Sequence, residues 1–574
     1  MDKNIPRAFV AGVERVTAWA DLLDQINVFP VADGDTGRNL VISLSPLRHL
    51  DESPENLIQK LMFSACGNSG NIAALFFSGF LTLNSLTDLS RATRLGRDYA
   101  WKAIGDPKPG TMLTVYDALV EILAADHSLN DKYVFAIIDH LEKAVNETPD
   151  MLPKLKNAGV VDSGALGMFI YFEGFFRCLI DRNDMFRSVT DRFKGKLKIS
   201  ASFQEETGTG HCVDMILRSD ENDEIVAQQL SQYGESVVAI SDKEYLKIHL
   251  HTKDKNTLKE KVDSLGRVVS WTDQNLREQI ERFIPQKTQK HLHIMTDAAG
   301  SLTRQDAQRL GVTLLDSYIL TRSTSLPETF VNPSDLYRSM RQGEKVTTSQ
   351  ASVFERHQYY QSVLSRYDRV LYLCVGSVYT GNYDVATAWK KENDPDHRFT
   401  IIDTGAASGR LAALVMAAAR YAIRADDPEA VIRFARNALE QSQEYIFLDR
   451  LQYLAASGRL SKTGAFFGDM LHVKPVVTPT AGGVKKIGTV GSQNKQIKFI
   501  LEKLARINIK ERISFIMLEY SDNRKWVEET IQVEIRRHYP SSEIMVQPLS
   551  LTSGVHMGPG TWGVAVLSNS VYPL

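Results

Sequence analysis

Two carboxylates separated by one glycine stand in the segment Asn27-Val28-Phe29-Pro30-Val31-Ala32-Asp33-Gly34-Asp35-Thr36-Gly37-Arg38-Asn39. Gly34 and Gly37 let the backbone turn tightly, so Asp33 and Asp35 can converge on one hard cation. An apolar-periodic helix follows Gly37, and its first amides could face a phosphate. An EF-hand is excluded, because the glycine spacing differs and the twelfth residue from Asp33 is Leu44. No GxxxxGK[ST] motif occurs, which disfavours a P-loop. Taken alone, the segment fits an Asx-type turn with solvated carboxylates equally well. Two further glycine turns, Gly67-Asn68-Ser69-Gly70 and the stretch from Gly159 to Gly167 around Asp162-Ser163-Gly164, each open a helical pattern. They shift the balance toward a metal and phosphate site.

A second donor set lies further along the chain. His249-Leu250-His251 falls in an alternating run, where residues two apart share one strand face. Cys212 begins an earlier strand pattern. One thiolate and two imidazoles suit zinc, with the fourth position open or filled by His211. The bland alternative is a strand with two polar residues facing water.

The elements that must position these groups change character twice. Up to residue 181, apolar residues recur at helical spacing, as in Phe9, Val13, Val16, Ala20 and Leu23, or Met112, Val115, Ala118 and Leu119. Residues 1–181 therefore read as an all-α domain. A polar, charged stretch over 181–196 reads as a linker. Short alternating strands and charged helices over 197–284 predict a small α+β domain. A second hinge, 285–290, precedes buried-looking strands spaced by helical segments, which predict a large α/β domain with βαβ units over 291–574.

Composition narrows the function class. The 574 residues suggest three or four domains at about 150 residues each. Lys plus Arg (67) nearly equals Asp plus Glu (69), a balance unlike that of nucleic-acid or anionic-membrane binders. Four scattered cysteines give no disulfide framework, the first residues lack the continuous apolar stretch of a signal peptide, and no run of about 18 apolar residues occurs. The expectation is a cytoplasmic protein without integral membrane association and without nucleic acid as a partner.

The blocks NVFPVADGDTGRNL, GNSG, KPGTMLTV and AGVVDSGALG, in this order, resemble the nucleotide-binding domain of dihydroxyacetone kinases (DhaL type), most closely the version in bacterial fatty acid kinases. That resemblance implies an antiparallel helical barrel holding ATP and two magnesium ions. Carried over, Asp33 and Asp35 ligate magnesium, with Asn27 at the place of a third metal-binding carboxylate. Ser69 and the amides of Gly67, Asn68 and Gly70 hold phosphate, and Thr36 and Asn39 join the cofactor-binding set. Thr111, Met112, Asp162 and Gly164 border the nucleotide. Arg38 stands where a small threonine is usual. The region around Cys212 and His249-Leu250-His251 resembles the middle domain of the same kinases.

From residue 291 onward, the stretches Met295-Thr296-Asp297, Thr348-Ser349-Gln350, Thr380-Gly381-Asn382, LDRLQYLAASGRLS, HVKPVV and GVHMGPGTWGVAV resemble the DegV family of fatty-acid-binding proteins, the carrier partners of those kinases. This implies a two-lobed α/β fold with Thr348, Ser349, Ser377 and Thr380 near the fatty acid carboxylate. Arg459 and His556 match basic residues near the head group, with a catalytic or docking role. The chain departs from the family where Val378 and Ala298 replace a small and a hydroxyl residue, and where the bulky Tyr379 stands near the expected head-group site. The combined expectation is a fatty acid kinase fused to its carrier, making acyl phosphate for an acyltransferase and forming a homodimer. A small-ketone kinase of the dihydroxyacetone type and a lipid-sensing regulator with a vestigial kinase site are the alternatives.

Overall fold

The computed structural model describes residues 4–50, 53–124, 128–183, 186–204, 210–219, 221–242, 244–282, 291–322, 324–456, 474–480, 482–510 and 512–568. The chain divides into two compact units, residues 1–285 and 286–574.

The first unit opens with α1 (Asn4–Gln25), α2 (Thr36–Leu44), α3 (Pro54–Ser64), α4 (Gly67–Phe80), α5 (Leu89–Lys102), α6 (Met112–Ile122), α7 (Asp131–Met151), α8 (Pro153–Ala158), α9 (Ser163–Leu179) and a short α10 (Val189–Arg192). Their starts carry their own signals. Ser53, Thr111, Asn130 and Asp162 each accept a backbone N–H as N-caps, and proline occupies the first turn of α3 and α8. The expected stripe Phe9, Val13, Val16, Ala20 and Leu23 is buried. α9 is buried from end to end and packs against α1, α2, α6 and α7. Gly174 permits the approach to α1, because an added Cβ would lie 3.0 Å from the Ala11 carbonyl oxygen. Within this apolar interior, Glu173 pairs with Arg15 and lies 3.4 Å from Arg177 and 3.5 Å from Arg192.

The unit continues as a four-stranded antiparallel sheet, β1 (His211–Arg218), β2 (Glu235–Ser241), β3 (Leu246–Thr252) and β4 (Arg267–Asn275), in the order β2-β3-β1-β4. Period-two alternation decides what each face does. Val213, Met215, Leu217, Ile248 and Leu250 form a core with Val226 and Leu230 of α11 (Asp223–Leu230) and Leu258 and Val262 of α12 (Lys255–Leu265). The opposite face carries Cys212, Asp214, Lys247, His249 and His251. The β1–β3 register sets Cys212 opposite His251 and Asp214 opposite His249.

Besides a small antiparallel sheet of Ser325–Pro327, Tyr318–Leu320 and Thr347–Ser349, the second unit has two larger sheets of unlike build. Strands Phe399–Asp403, Val370–Cys374, His293–Asp297 and Val312–Leu315 form a parallel sheet in that order. The other sheet has six strands and is mixed. Its central strand Trp562–Ser568 runs antiparallel to both neighbours, and only Ile513–Tyr520 with Glu543–Pro548 is parallel. The βαβ expectation thus holds for the first lobe and only partly for the second, where a Lys474–Thr480/Gly483–Val490 hairpin replaces a crossover. Among the described residues, no helix is long and apolar enough to cross a membrane.

Candidate functional site

The two carboxylates of the first loop are freed for chemistry by a third. Asp35 is the N-cap of α2, yet its side chain makes no capping bond. Asp24 takes that role, accepting the N–H of Gly37 at 2.7 Å and of Arg38 at 3.2 Å. Asp35 is left facing Asp33. Burial and then the Asp35 charge push the Asp33 carboxyl well above its ordinary range, and burial raises Asp35 as well. Two such carboxylates have a strong affinity for positive charge, and this hard oxygen pair fits magnesium. Asn27 donates its Nδ2 to Asp33 at 2.6 Å. As placed, its amide supports the Asp33 carboxylate.

The glycine turns converge on the same place. Gly67 opens α4 with φ +59°, and an added Cβ would collide with the Asn39 side chain. Asn39 therefore lies between the Gly67 turn and Asp35, to which it also hydrogen bonds. The Thr36 hydroxyl is 3.4 Å from that of Ser69, and the Ser163 hydroxyl is 3.0 Å from Thr36 and 3.3 Å from the Asn27 oxygen. Asp162 caps α9 through the Ala165 N–H at 2.7 Å, and burial pushes its carboxyl up to about 7. Met112 packs on Gly164, whose added Cβ would lie 3.6 Å from the methionine methyl. Thr111 caps α6 and donates to the Lys108 carbonyl at 2.9 Å.

The polar face of the sheet meets the start of α4. Lys247 donates to the Ala65 carbonyl, and Asp214 accepts from the Gly67 N–H at 3.1 Å and from Asn71 Nδ2 at 2.9 Å. The ligand atoms of Cys212, His249 and His251 lie within 4.8 Å of one another. His249 is fully buried, with Nδ1 3.2 Å from Asp214 and Nε2 without a hydrogen-bond partner. Burial and then the neighbouring His249 bring His251 down to about 3, so its ring is neutral at physiological pH. Burial and the nearby carboxylates raise the Cys212 thiol, so a thiolate there calls for a bound cation. This set fits zinc. The water-facing alternative for the two histidines fails, since the strand face is covered. His211 cannot be the fourth ligand, because alternation turns it to the other side, where its ring lies 3.6 Å from Asp273. His249 is also close enough to act on the charge of Asp35.

In the second unit, the Thr348 hydroxyl lies 2.9 Å from His556 Nε2. Ser349 follows on the same edge strand and is exposed. Ser377 is engaged elsewhere: its hydroxyl donates to Asp403 at 2.5 Å beside a cavity of about 300 Å³ lined by Val378, Thr404 and Arg410. Thr380 accepts the Asn382 N–H at 3.1 Å. The Tyr379 hydroxyl donates to the Thr480 carbonyl at 3.2 Å, and its ring packs against the cluster of Ile446 and Leu448. Arg459 lies outside the described residues.

Three family profiles match consecutive parts of the sequence: a DAK2 domain over residues 30–177, a fatty acid kinase A-like (FakA-like) middle domain over 208–283, and an uncharacterised protein family, DegV, over 291–569. The chain joins these three domain types in one polypeptide. Protein YloV of Bacillus subtilis (strain 168) is 31% identical over 317 residues, 50% of this chain and 57% of the relative. An uncharacterised protein of Staphylococcus saprophyticus is 30% identical over 308 residues, 48% and 55% respectively. The chain spans about half the length of the curated relatives it matches. Among solved structures, a DegV family protein of Thermus thermophilus described as fatty-acid binding is 25% identical, with a TM-score of 0.45 over 49% of this chain and 100% of that one.

Among the N-terminal helices, residue spacing points to the carboxylate pair and the glycine turns but passes over Asp24 of α1, which frees Asp35. In the middle domain it passes over Asp214 and Lys247. Their signal is present: they alternate with Cys212 and His249 on the covered strand face. In the DegV domain, Asp297 stands out in the sequence only as part of a motif. It accepts hydrogen bonds from Tyr372, the Val375 amide and Asn382 and anchors the parallel sheet.

Proposed function

We propose that the chain is a fatty acid kinase carrying its acyl-binding domain in the same polypeptide. It transfers the terminal phosphoryl group of ATP to a fatty acid carboxylate, giving acyl phosphate and ADP for phospholipid synthesis. The observation that carries this reading is the convergence of Asp33 and Asp35, the Gly67 turn and the Cys212–His249–His251 cluster in one place. The kinase-type DAK2 and middle domains and the DegV domain on one chain support it.

Magnesium bound with ATP supplies the neutralising charge that phosphoryl transfer needs. Asp33 and Asp35 hold it. Ser69, Thr36 and the amides of Gly67, Asn68 and Gly70 orient phosphate oxygens, while Thr111, Met112 and Gly164 border the nucleotide. A carboxylate acceptor is already ionised at neutral pH, so no side chain has to remove a proton from it. Cys212, His249 and His251 would hold zinc. In the DegV domain, Thr348 and His556 donate to the fatty acid head group, since a carboxylate accepts several such bonds.

A second reading, a DegV domain kept for regulation, is favoured by one observation: the Ser377 hydroxyl is engaged by Asp403 rather than free for a ligand. Asp35→Asn separates the two. Fatty-acid-dependent ADP release is expected to fall below detection in that variant, while lipid still co-purifies and is identified by mass spectrometry. Unchanged ADP release would overturn the kinase assignment, and a wild type that carries lipid but releases no ADP on it would favour the regulatory reading.

A further inference from the structure

One carboxylate in the middle domain is bonded to both halves of the candidate site. Asp214 sits on β1, two residues after Cys212 and on the same face. One of its oxygens accepts from Asn71 Nδ2 at 2.9 Å. The other accepts from the Gly67 N–H at 3.1 Å and lies 3.2 Å from His249 Nδ1. Asn71 also donates to the Gly67 carbonyl at 2.7 Å, so the carboxylate and the amide grip the same turn from two sides. Position 67 is the N-terminal residue of a fourteen-residue helix, where a negative charge is favoured by the unpaired amides. The carboxylate therefore caps α4 from another part of the chain. On its other side it fixes an imidazole: with Nδ1–H given to Asp214, the lone pair of His249 is at Nε2, the buried nitrogen that has no partner.

We propose that Asp214 is a positioning residue that joins the His249 ring to the Gly67 turn, so that the imidazole is held in one tautomer and senses the occupancy of that turn. Lys247, bonded to the Ala65 carbonyl just ahead of the turn, holds the strand in register for this contact. The part that concerns occupancy rests on the kinase reading. The part that concerns the ring does not.

The full chain labelled with ¹⁵N-histidine tests it. The His249 signal is identified by its loss in His249→Gln. In the wild type it is expected as the Nδ1–H tautomer. In Asp214→Ala and in the isosteric Asp214→Asn it moves toward a mixture of tautomers, and Asp214→Glu restores the wild-type signal. Zinc alone, titrated against a coloured chelator, binds about 10–100-fold more weakly to Asp214→Ala. Magnesium-ADP shifts the His249 signal of the wild type and leaves that of Asp214→Ala unmoved. An unchanged tautomer in both the alanine and asparagine variants would overturn the orienting role. An equal ADP shift in wild type and Asp214→Ala would overturn the coupling. Failure of ADP to bind any form would overturn the nucleotide reading and the coupling together, with the tautomer still deciding the orienting role.

Discussion

At the scale of single residues, the site is made by side chains that relieve one another of ordinary duties. Asp24 caps α2 so that Asp35 does not, and Asp35 can then face Asp33. Asp162, by contrast, does cap its helix, and does so in a buried position that lifts its carboxyl to about 7. A carboxyl raised on folding binds its proton more tightly in the native state than in the unfolded one. Stability from this group is complete below about pH 3.9 and is lost as pH rises toward 7. Asp162→Asn keeps an N-cap acceptor and cannot ionise. Urea unfolding of the nucleotide-free variant between pH 4 and 7 is expected to show a flatter pH dependence than the wild type and greater relative stability at pH 7. Thr348 offers a second test at this scale. Thr348→Val keeps the shape but loses a hydroxyl that would donate to a carboxylate, and such bonds contribute about 1.5–3 kcal/mol. Fatty acid binding followed by a fluorescent analogue should weaken about 10–100-fold, with magnesium-ADP affinity unchanged.

At the scale of elements, periodicity makes most of the architecture legible. The stripe of α1 and the alternation of β1 and β3 are visible as patterns. Charges inside those patterns are not. Arg15 sits between Val13 and Val16 in an apolar stretch, and its partner Glu173 is 158 positions away in α9. Nothing local distinguishes such a pair from two solvated charges. Glu444 of the strand Ser442–Phe447 and Glu519, both buried and hydrogen bonded across the strand Trp562–Ser568 that lies between theirs, are hidden for the same reason. Register is hidden too, because the pairing of Asp214 with His249 depends on hydrogen bonding between strands distant in sequence. Glu173 carries a clear prediction. Glu173→Gln leaves Arg15, Arg177 and Arg192 without their shared buried carboxylate, and breaking a buried pair of this kind costs about 3–5 kcal/mol. The midpoint of urea unfolding of the first unit should fall accordingly, while conservative changes at exposed pairs such as Lys102–Glu224 should have little effect.

At the scale of the whole molecule, near-neutral charge agrees with the proposed function, in which an apolar substrate is handled by enclosing it. Three domain types follow one another along the sequence: a carboxylate and glycine site, a sheet that brings Asp214 and His249 to it, and a two-lobed α/β unit. Under the proposed function, joining the carrier to the kinase raises its effective concentration to roughly millimolar without new contacts. The most direct measurement follows from the product. Acyl phosphates react with hydroxylamine to give stable hydroxamates, whereas phosphate esters of small ketones or polyols do not. The full chain, incubated with ATP, magnesium, a fatty acid and hydroxylamine, should yield the acyl hydroxamate by mass spectrometry, in an amount that tracks ADP release. ADP release on dihydroxyacetone with no acyl hydroxamate, or no turnover on either acceptor, would contradict it.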